Sequence, residues 1–154
     1  MIEIPRFVWW FILNLIILNI RPARSAEAYS TVWTEEGSPL LFHTINQAEG
    51  LKAALSSKYG KEIAVGFGMR YGEPSIESAI KELESIGIQK LLVLPLYPQY
   101  SGPTTGSTFD AIAKFFVKQR WIPEVRFVSS YHDHPAYIEA LASQIEKHRS
   151  KYGK

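Results

Sequence analysis

Hydroxyl, aromatic and charged side chains gather at three points of the chain, each directly after a short apolar stretch. These points are "MRYGEP" (residues 69–74), "LYPQYSGPTTGST" (residues 96–108) and "SSYHDHP" (residues 129–135). A planar guanidinium such as that of Arg70 can hold a carboxylate, and Tyr71 beside it can stack on a flat ligand. The alternative is a solvated arginine and a half-buried tyrosine at a strand end.

The second of these loops is long for a strand-to-helix connection, which usually takes about two to six residues. Its side chains could line a pocket for a large planar molecule, and its glycines would allow close approach. The candidate residues are Tyr97, Gln99, Tyr100, Ser101, Thr104, Thr105 and Ser107. Ordinary turn chemistry remains open as an alternative, because Pro98 and Pro103 would fix the loop and Ser107 could cap the next helix.

The third loop contains His132, Asp133 and His134, which are residue types that bind zinc or iron. Alternate residues of an extended chain point in opposite directions, however, and the same segment is placed to begin a helix. We therefore predict no metal site here. The sequence has no cysteine, and no Ser-His-Asp arrangement follows from its spacing. The residues alone predict a binding surface and no catalytic group.

Composition indicates one globular domain with a sizeable core. The chain has 154 residues, of which 46% are hydrophobic, and a formal net charge of +2. So small a charge, carried by scattered lysines and arginines, predicts no nucleic-acid partner.

Alternating apolar runs and amphipathic stretches place the three loops at the ends of strands. Strands are predicted at residues 63–69, 90–98 and 124–130, and helices at residues 39–57, 74–87, 107–120 and 133–149. This alternation is typical of an α/β fold in three layers, a parallel sheet with flanking helices. Ligands of such sheets bind beyond the carboxyl ends of the strands, where the three loops lie.

Local signals suggest where the helices begin and end. Ser75 is a candidate N-cap and Gly87 a candidate residue just past the end of the second of these helices. Ser107 with Asp110 resembles a capping box for the third. Asp133 is a candidate cap for the fourth, with Pro135 near its first position.

The N-terminal segment, residues 1–24, is distinct from the α/β part, residues 25–154. Its apolar run from Phe7 to Ile20 is shorter than the roughly 20 residues that span a bilayer. A core helix or a membrane-surface helix, a signal peptide and a spanning helix all remain open. On a lipid surface, the side chains that would suit the interface are Trp9, Trp10, Arg21 and Arg24.

The motif "LPLYPQYSGPTTGST" closely resembles a ferrochelatase motif. The segments "VWTEEGSPL", "GMRYGEPSIESAI" and "YHDHPAYIEAL" are similar to the same family in the same order, over nearly the whole chain. Ferrochelatases insert ferrous iron into protoporphyrin in haem biosynthesis. The resemblance implies half of a fold of two similar chelatase-like domains, with the porphyrin in the cleft between them.

The resemblance also implies which residues contact or neighbour the porphyrin: Ser38, Arg70, Tyr71, Tyr97, Tyr100, Ser101 and Thr104. Iron and porphyrin would be substrates of the complete enzyme, and no cofactor is implied. Some family members have an iron–sulfur cysteine after "YPQYS", where this sequence has Gly102, so no cluster is expected.

The family's metal-inserting histidine and its partner glutamate match no position here. "SSYH" superficially mimics the histidine motif, but its position matches an earlier strand end, so His132 does not take that role. We therefore expect a portion truncated at both ends, which lacks chelatase activity alone and binds porphyrin weakly, if at all. The expected location is cytoplasmic, with peripheral attachment to the inner face of the membrane left open. Two other functions also remain open, a sirohydrochlorin or cobalt chelatase-like protein and a non-catalytic membrane-associated module.

Overall fold

The computed structural model describes residues 5–35 and 37–153, which form two compact units that meet in sequence at Ile63 and Ala64. Glu36, which the sequence places in a solvated turn, lies outside the described residues. So do some side chains of the N-terminal helices, namely those of Arg6, Ile16, Asn19, Ile20, Arg21, Ala23 and Arg24.

The first unit begins with a continuous run of helical backbone. It comprises α1 (Arg6–Phe11), a π-helical stretch (Ile12–Ile17) and α2 (Leu18–Ser30). Within the π-helical stretch, the side-chain amide of Asn14 donates to the carbonyl of Trp10 at 2.8 Å. No helix in the described ranges is long and apolar enough to cross a membrane.

Helix α3 (Pro39–Tyr59) completes the first unit and confirms the helix predicted from its apolar spacing. Pro39 occupies the start of the helix, where a missing N–H costs no hydrogen bond. Gly60 ends the helix with a φ of 62°, a conformation that glycine adopts without steric cost.

The second unit has the alternating order of an α/β fold. Its elements are α4 (Ile76–Ser85), β1 (Lys90–Val93), a π-helical turn (Gly102–Gly106), α5 (Ser107–Phe116), β2 (Glu124–Phe127) and α6 (Pro135–Tyr152). Strands β1 and β2 are parallel and in register from Lys90 opposite Glu124 to Val93 opposite Phe127. The predicted α/β class with a parallel sheet is therefore confirmed.

The core of this unit lies where α4 and α5 meet the sheet. Its buried side chains are Ile80, Leu91, Ile112, Phe115 and Phe116. These positions come from the apolar stripes of the two helices and from β1, as their periodicity predicts. Helix α6 differs, because its apolar residues at helical spacing, Ile138, Leu141 and Ile145, are exposed in this chain.

The predicted first strand, residues 63–69, is wrong as a ladder-forming strand. Within the described residues, positions 63–68 form no strand ladder, and Met69 only bridges to Ser75. Glycine weakens a strand and marks close approach of another backbone. Gly68 does so here, since a Cβ added to it would lie 2.7 Å from the Cα of Ile76.

The other two strands are shorter than predicted, ending at Val93 and Phe127 rather than at residues 98 and 130. Proline explains the early end of β1, because Pro95 has no N–H to donate to the ladder.

The helix starts confirm some of the predicted caps and correct others. The Ser75 hydroxyl accepts from the N–H of Ser78, and Gly87 has a φ of 76° just past α4, both as predicted. The capping box at Ser107 is wrong, because the π-helical turn before it already supplies helical backbone.

The cap predicted at Asp133 is also wrong. His134 takes that position, and its Nδ1 accepts from the N–H of Ala136 at 3.2 Å. Pro135 is the first residue of α6, as predicted.

Candidate functional site

The first and second polar loops are joined by a hydrogen-bond pair between Arg70 and Ser107. Nε of the partly buried Arg70 donates to the Ser107 hydroxyl at 2.7 Å and to the Ser107 carbonyl at 3.1 Å. A charged donor makes such bonds stronger than neutral ones. The guanidinium therefore ties residues 69–71 to the first residue of α5.

Arg70 also packs on its neighbour in the sequence. Its guanidinium carbon lies 4.6 Å from the centroid of the Tyr71 ring, a cation–π contact. The loop behind them closes tightly, since the N–H of Met69 donates to the carbonyl of Pro74 at 2.7 Å. Tyr71 is 79% exposed at the tip of this loop, so most of its side chain is open to solvent despite this contact.

The second loop is held by its own hydroxyls and backbone. The side chains of Ser101 and Thr104 hydrogen-bond to each other, and the N–H of Gly106 donates to the carbonyl of Ser101 at 3.1 Å. A Cβ added to Gly106 would lie 3.3 Å from the hydroxyl oxygen of Tyr100. Glycine at this position therefore lets the Tyr100 side chain lie against the turn.

The second and third loops are joined by a backbone bond. The N–H of Tyr131 donates to the carbonyl of Pro98 at 2.9 Å. Burial, followed by the neighbouring Tyr137, raises the pKa of Tyr131 above its ordinary value. Together with the Arg70–Ser107 bonds, this contact brings the three polar loops to one edge of the second unit, as the sequence predicts.

The tyrosines of the second loop face outward, while one of its threonines does not. Tyr97 is 41% exposed and Tyr100 62% exposed. Thr105, a candidate lining residue by sequence, is fully buried, and its hydroxyl has no hydrogen-bond partner within the described part of the chain. The expectation that Thr105 lines a pocket is therefore wrong.

Ser38, the remaining candidate, belongs to the first unit. It is half-buried and stands just before α3, where its carbonyl accepts from the N–H of Phe42 at 3.0 Å. Its hydroxyl makes no cap bond to the helix.

The histidine-rich segment of the third loop has a structural use, since His134 caps α6. Across residues 5–35 and 37–153, the structure shows no group of three or more His, Asp or Glu side chains arranged around a metal position.

A cavity of about 200 Å³ lies beside Arg70, between the start of α4 and one side of α5. It is smaller than the roughly 300 Å³ at which pockets for drug-sized ligands begin. Its lining includes Arg70 but none of the other candidate residues. The candidate porphyrin-side residues of the second unit thus form an open edge and not an enclosed pocket.

The bond between Arg70 and Ser107 joins residues 37 positions apart and has no signal in the sequence. The cavity is also lined by Lys114 of α5 and by Lys118 of the turn that follows this helix.

Comparisons with known proteins agree with the motifs in this edge. The family model described as Ferrochelatase matches residues 1–154. A ferrochelatase from Marinobacter nauticus is 55% identical over 153 residues, which cover 99% of this chain and 41% of that protein. One from Alcanivorax borkumensis is 58% identical over 152 residues, which cover 99% of this chain and 45% of that protein. This chain spans less than half the length of these curated relatives, and it belongs to the ferrochelatase family.

Proposed function

We propose that this chain supplies a porphyrin-contacting part of a ferrochelatase, the enzyme that inserts ferrous iron into protoporphyrin in haem biosynthesis. The observation that supports this most strongly is the joined edge of the second unit. There Tyr71, Tyr97 and Tyr100 are exposed on loops that hydrogen bonds hold together.

Each residue type at this edge has a distinct use toward a porphyrin. Aromatic rings provide flat apolar surface for a macrocycle. A guanidinium and the hydroxyls of Ser101 and Thr104 can bind carboxylate side chains. Arg70 keeps its terminal amino groups for such a contact, because its bonds to Ser107 use Nε. Ser38 is proposed as a further contact.

Binding energy from these contacts is proposed to help distort the macrocycle and so present its pyrrole nitrogens to iron. The metal-inserting histidine and its partner glutamate are not assigned to any residue of this chain. We therefore propose that the 154-residue chain binds porphyrin weakly and does not insert iron. Because Gly102 replaces the cysteine of the iron–sulfur members, we propose no cluster at this loop.

We further propose a cytoplasmic location with contact at the membrane surface, and no nucleic-acid partner. The membrane contact is supported by exposed apolar side chains on the N-terminal helices: Phe7, Trp10, Phe11, Leu15 and Leu18. Tryptophan in such a helix suits the lipid–water interface. Flotation with anionic liposomes should carry the full chain upward and leave a chain lacking residues 1–24 behind. Equal flotation of both would refute the membrane contact.

The porphyrin proposal is tested by quenching of mesoporphyrin fluorescence. Saturable quenching should weaken in the double variant Tyr97→Ala, Tyr100→Ala. It should persist in the control Tyr59→Ala, Tyr152→Ala, which removes two tyrosines that are also exposed. Equal loss in both variants, or no saturation in the unchanged chain, would exclude the proposal.

A further inference from the structure

The cavity beside Arg70 has a charged rim. Arg70, Lys114 and Lys118 contribute three cations to its lining, and Glu77 contributes one carboxylate. That carboxylate is already engaged, because Lys81 binds it at 2.6 Å. Within the described residues, none of the three cations forms an ion pair with a carboxylate.

Two lysines, Lys81 and Lys118, stabilise the negative charge of Glu77. Hydrogen bonding and attraction by Lys81, and to a smaller degree the charge of Lys118, lower the pKa of Glu77. The carboxylate therefore remains ionised at neutral pH but is shared with Lys81. The lining keeps a surplus of positive charge, to which an anion from solution would be attracted.

Apart from Ser75, whose hydroxyl caps α4, the remaining lining of the cavity is apolar. It is formed by Met69, Ile76, Ala111 and Phe115, of which Phe115 is only 6% exposed. A hydrated inorganic ion would gain nothing from these walls, whereas a short hydrocarbon arm would bury surface against them. The volume of about 200 Å³ suits a small group and excludes a macrocycle.

We propose that this cavity binds a carboxylate carried on a short aliphatic arm, with Arg70, Lys114 and Lys118 around the carboxylate and the arm against Ile76 and Phe115. Such a group could belong to a free aliphatic acid or be a side chain of a larger ligand such as a porphyrin. The proposal goes beyond the proposed function, since a free acid could bind whether or not the chain binds porphyrin.

The test is an NMR titration of the full 154-residue chain with three probes. Butyrate carries the charge and the arm, butyramide carries the arm alone, and inorganic phosphate carries charge alone. Butyrate should give saturable shifts at Ile76, Glu77, Ala111 and Phe115, and added salt should weaken them. Butyramide should give none, and phosphate should bind more weakly than butyrate.

Two pairs of lysine substitutions distinguish binding of butyrate in this cavity from a general effect of the chain's positive charge. The double variant Lys114→Ala, Lys118→Ala should bind butyrate with an affinity about tenfold lower than that of the unchanged chain. Lys147→Ala with Lys151→Ala removes the same charge from α6, away from the cavity lining, and should change little. The proposal is overturned if butyrate gives no saturable shifts, if phosphate binds more tightly, or if both variants respond equally.

A competition separates the two sources of the carboxylate. Displacement of butyrate by mesoporphyrin, but not by its dimethyl ester, would identify a porphyrin side chain. Failure of both to displace it would identify a free acid. If the chain proves not to bind porphyrin, the butyrate result stands by itself, so failure of this inference and of the proposed function can be told apart.

Discussion

Nε of Arg70 lies 2.7 Å from the hydroxyl oxygen of Ser107, and this bond joins two loops that are 37 residues apart in sequence. Arg70 thus holds the start of α5 in place while its stacked partner Tyr71 remains exposed. Arg70 is therefore a positioning residue, in addition to its proposed contact with a ligand.

Removing the Ser107 hydroxyl should weaken the contact between Arg70 and Ser107 without abolishing it. We expect Ser107→Ala to lower the free energy of unfolding by about 1 kcal/mol, because the carbonyl acceptor remains. Urea unfolding measures this, and Ser85→Ala serves as the control, since that hydroxyl only bonds within its own helix. In a chain that already carries Arg70→Ala, adding Ser107→Ala should leave the free energy of unfolding almost unchanged. If Ser107→Ala lowers the free energy of unfolding as much without Arg70 as with it, the two residues act independently.

Gly68 and Gly66 form a matched pair for testing the close approach of residues 63–69 to α4. A Cβ at position 68 would lie 2.7 Å from the Cα of Ile76, whereas one at position 66 meets Leu83 at an ordinary 3.5 Å. We expect Gly68→Ala to destabilise the chain by about 1–3 kcal/mol because backbone must move. Gly66→Ala should be nearly neutral. Thermal unfolding followed by circular dichroism compares them, and similar melting temperatures for the two variants would contradict the observed packing.

Glu124 should make the stability of the sheet depend on pH. It bonds Lys90 at 3.1 Å across the strand pair and Arg126 on its own strand at 3.0 Å. These partners, Lys90 first, lower the pKa of Glu124 below its ordinary 4.5.

A group with a lowered folded pKa stabilises the fold above its unfolded pKa and loses that effect as the pH falls through the folded value. Glu124→Gln should therefore reduce stability at pH 7, and the difference from the unchanged chain should shrink below about pH 4.5. The effect should be small because the carboxylate is exposed. Urea unfolding at pH 7 and pH 3.5 tests this, and a difference that grows at low pH would disprove it.

Features of this fold that depend on residues close in sequence can be predicted, and those that depend on distant residues cannot. The helix at Pro39–Tyr59 and the Ser75 cap are set by neighbouring residues, and both were predicted correctly. The strand at residues 63–69 was not, since its glycines bring it against the start of α4 and it forms no ladder in the described chain.

The candidate site shows the same limit. The three polar loops could be placed at one edge, because the carboxyl ends of parallel strands lie together. The contacts that join them could not be foreseen, since nothing in the spacing of Arg70 and Ser107 indicates a bond. The burial of Thr105 beside the half-buried Thr104 likewise depends on the path of the π-helical turn.

Porphyrin is proposed to bind at the edge formed by residues 69–74, 96–108 and 129–135. Hydrogen exchange of the 154-residue chain with and without mesoporphyrin tests this most directly, because it reports location as well as binding. We predict slower exchange in residues 69–74 and 96–108, and the same segments should lose this protection in Tyr97→Ala, Tyr100→Ala. Protection confined to other elements, such as α6 or the N-terminal helices, or no protection at saturating porphyrin, would contradict the claim.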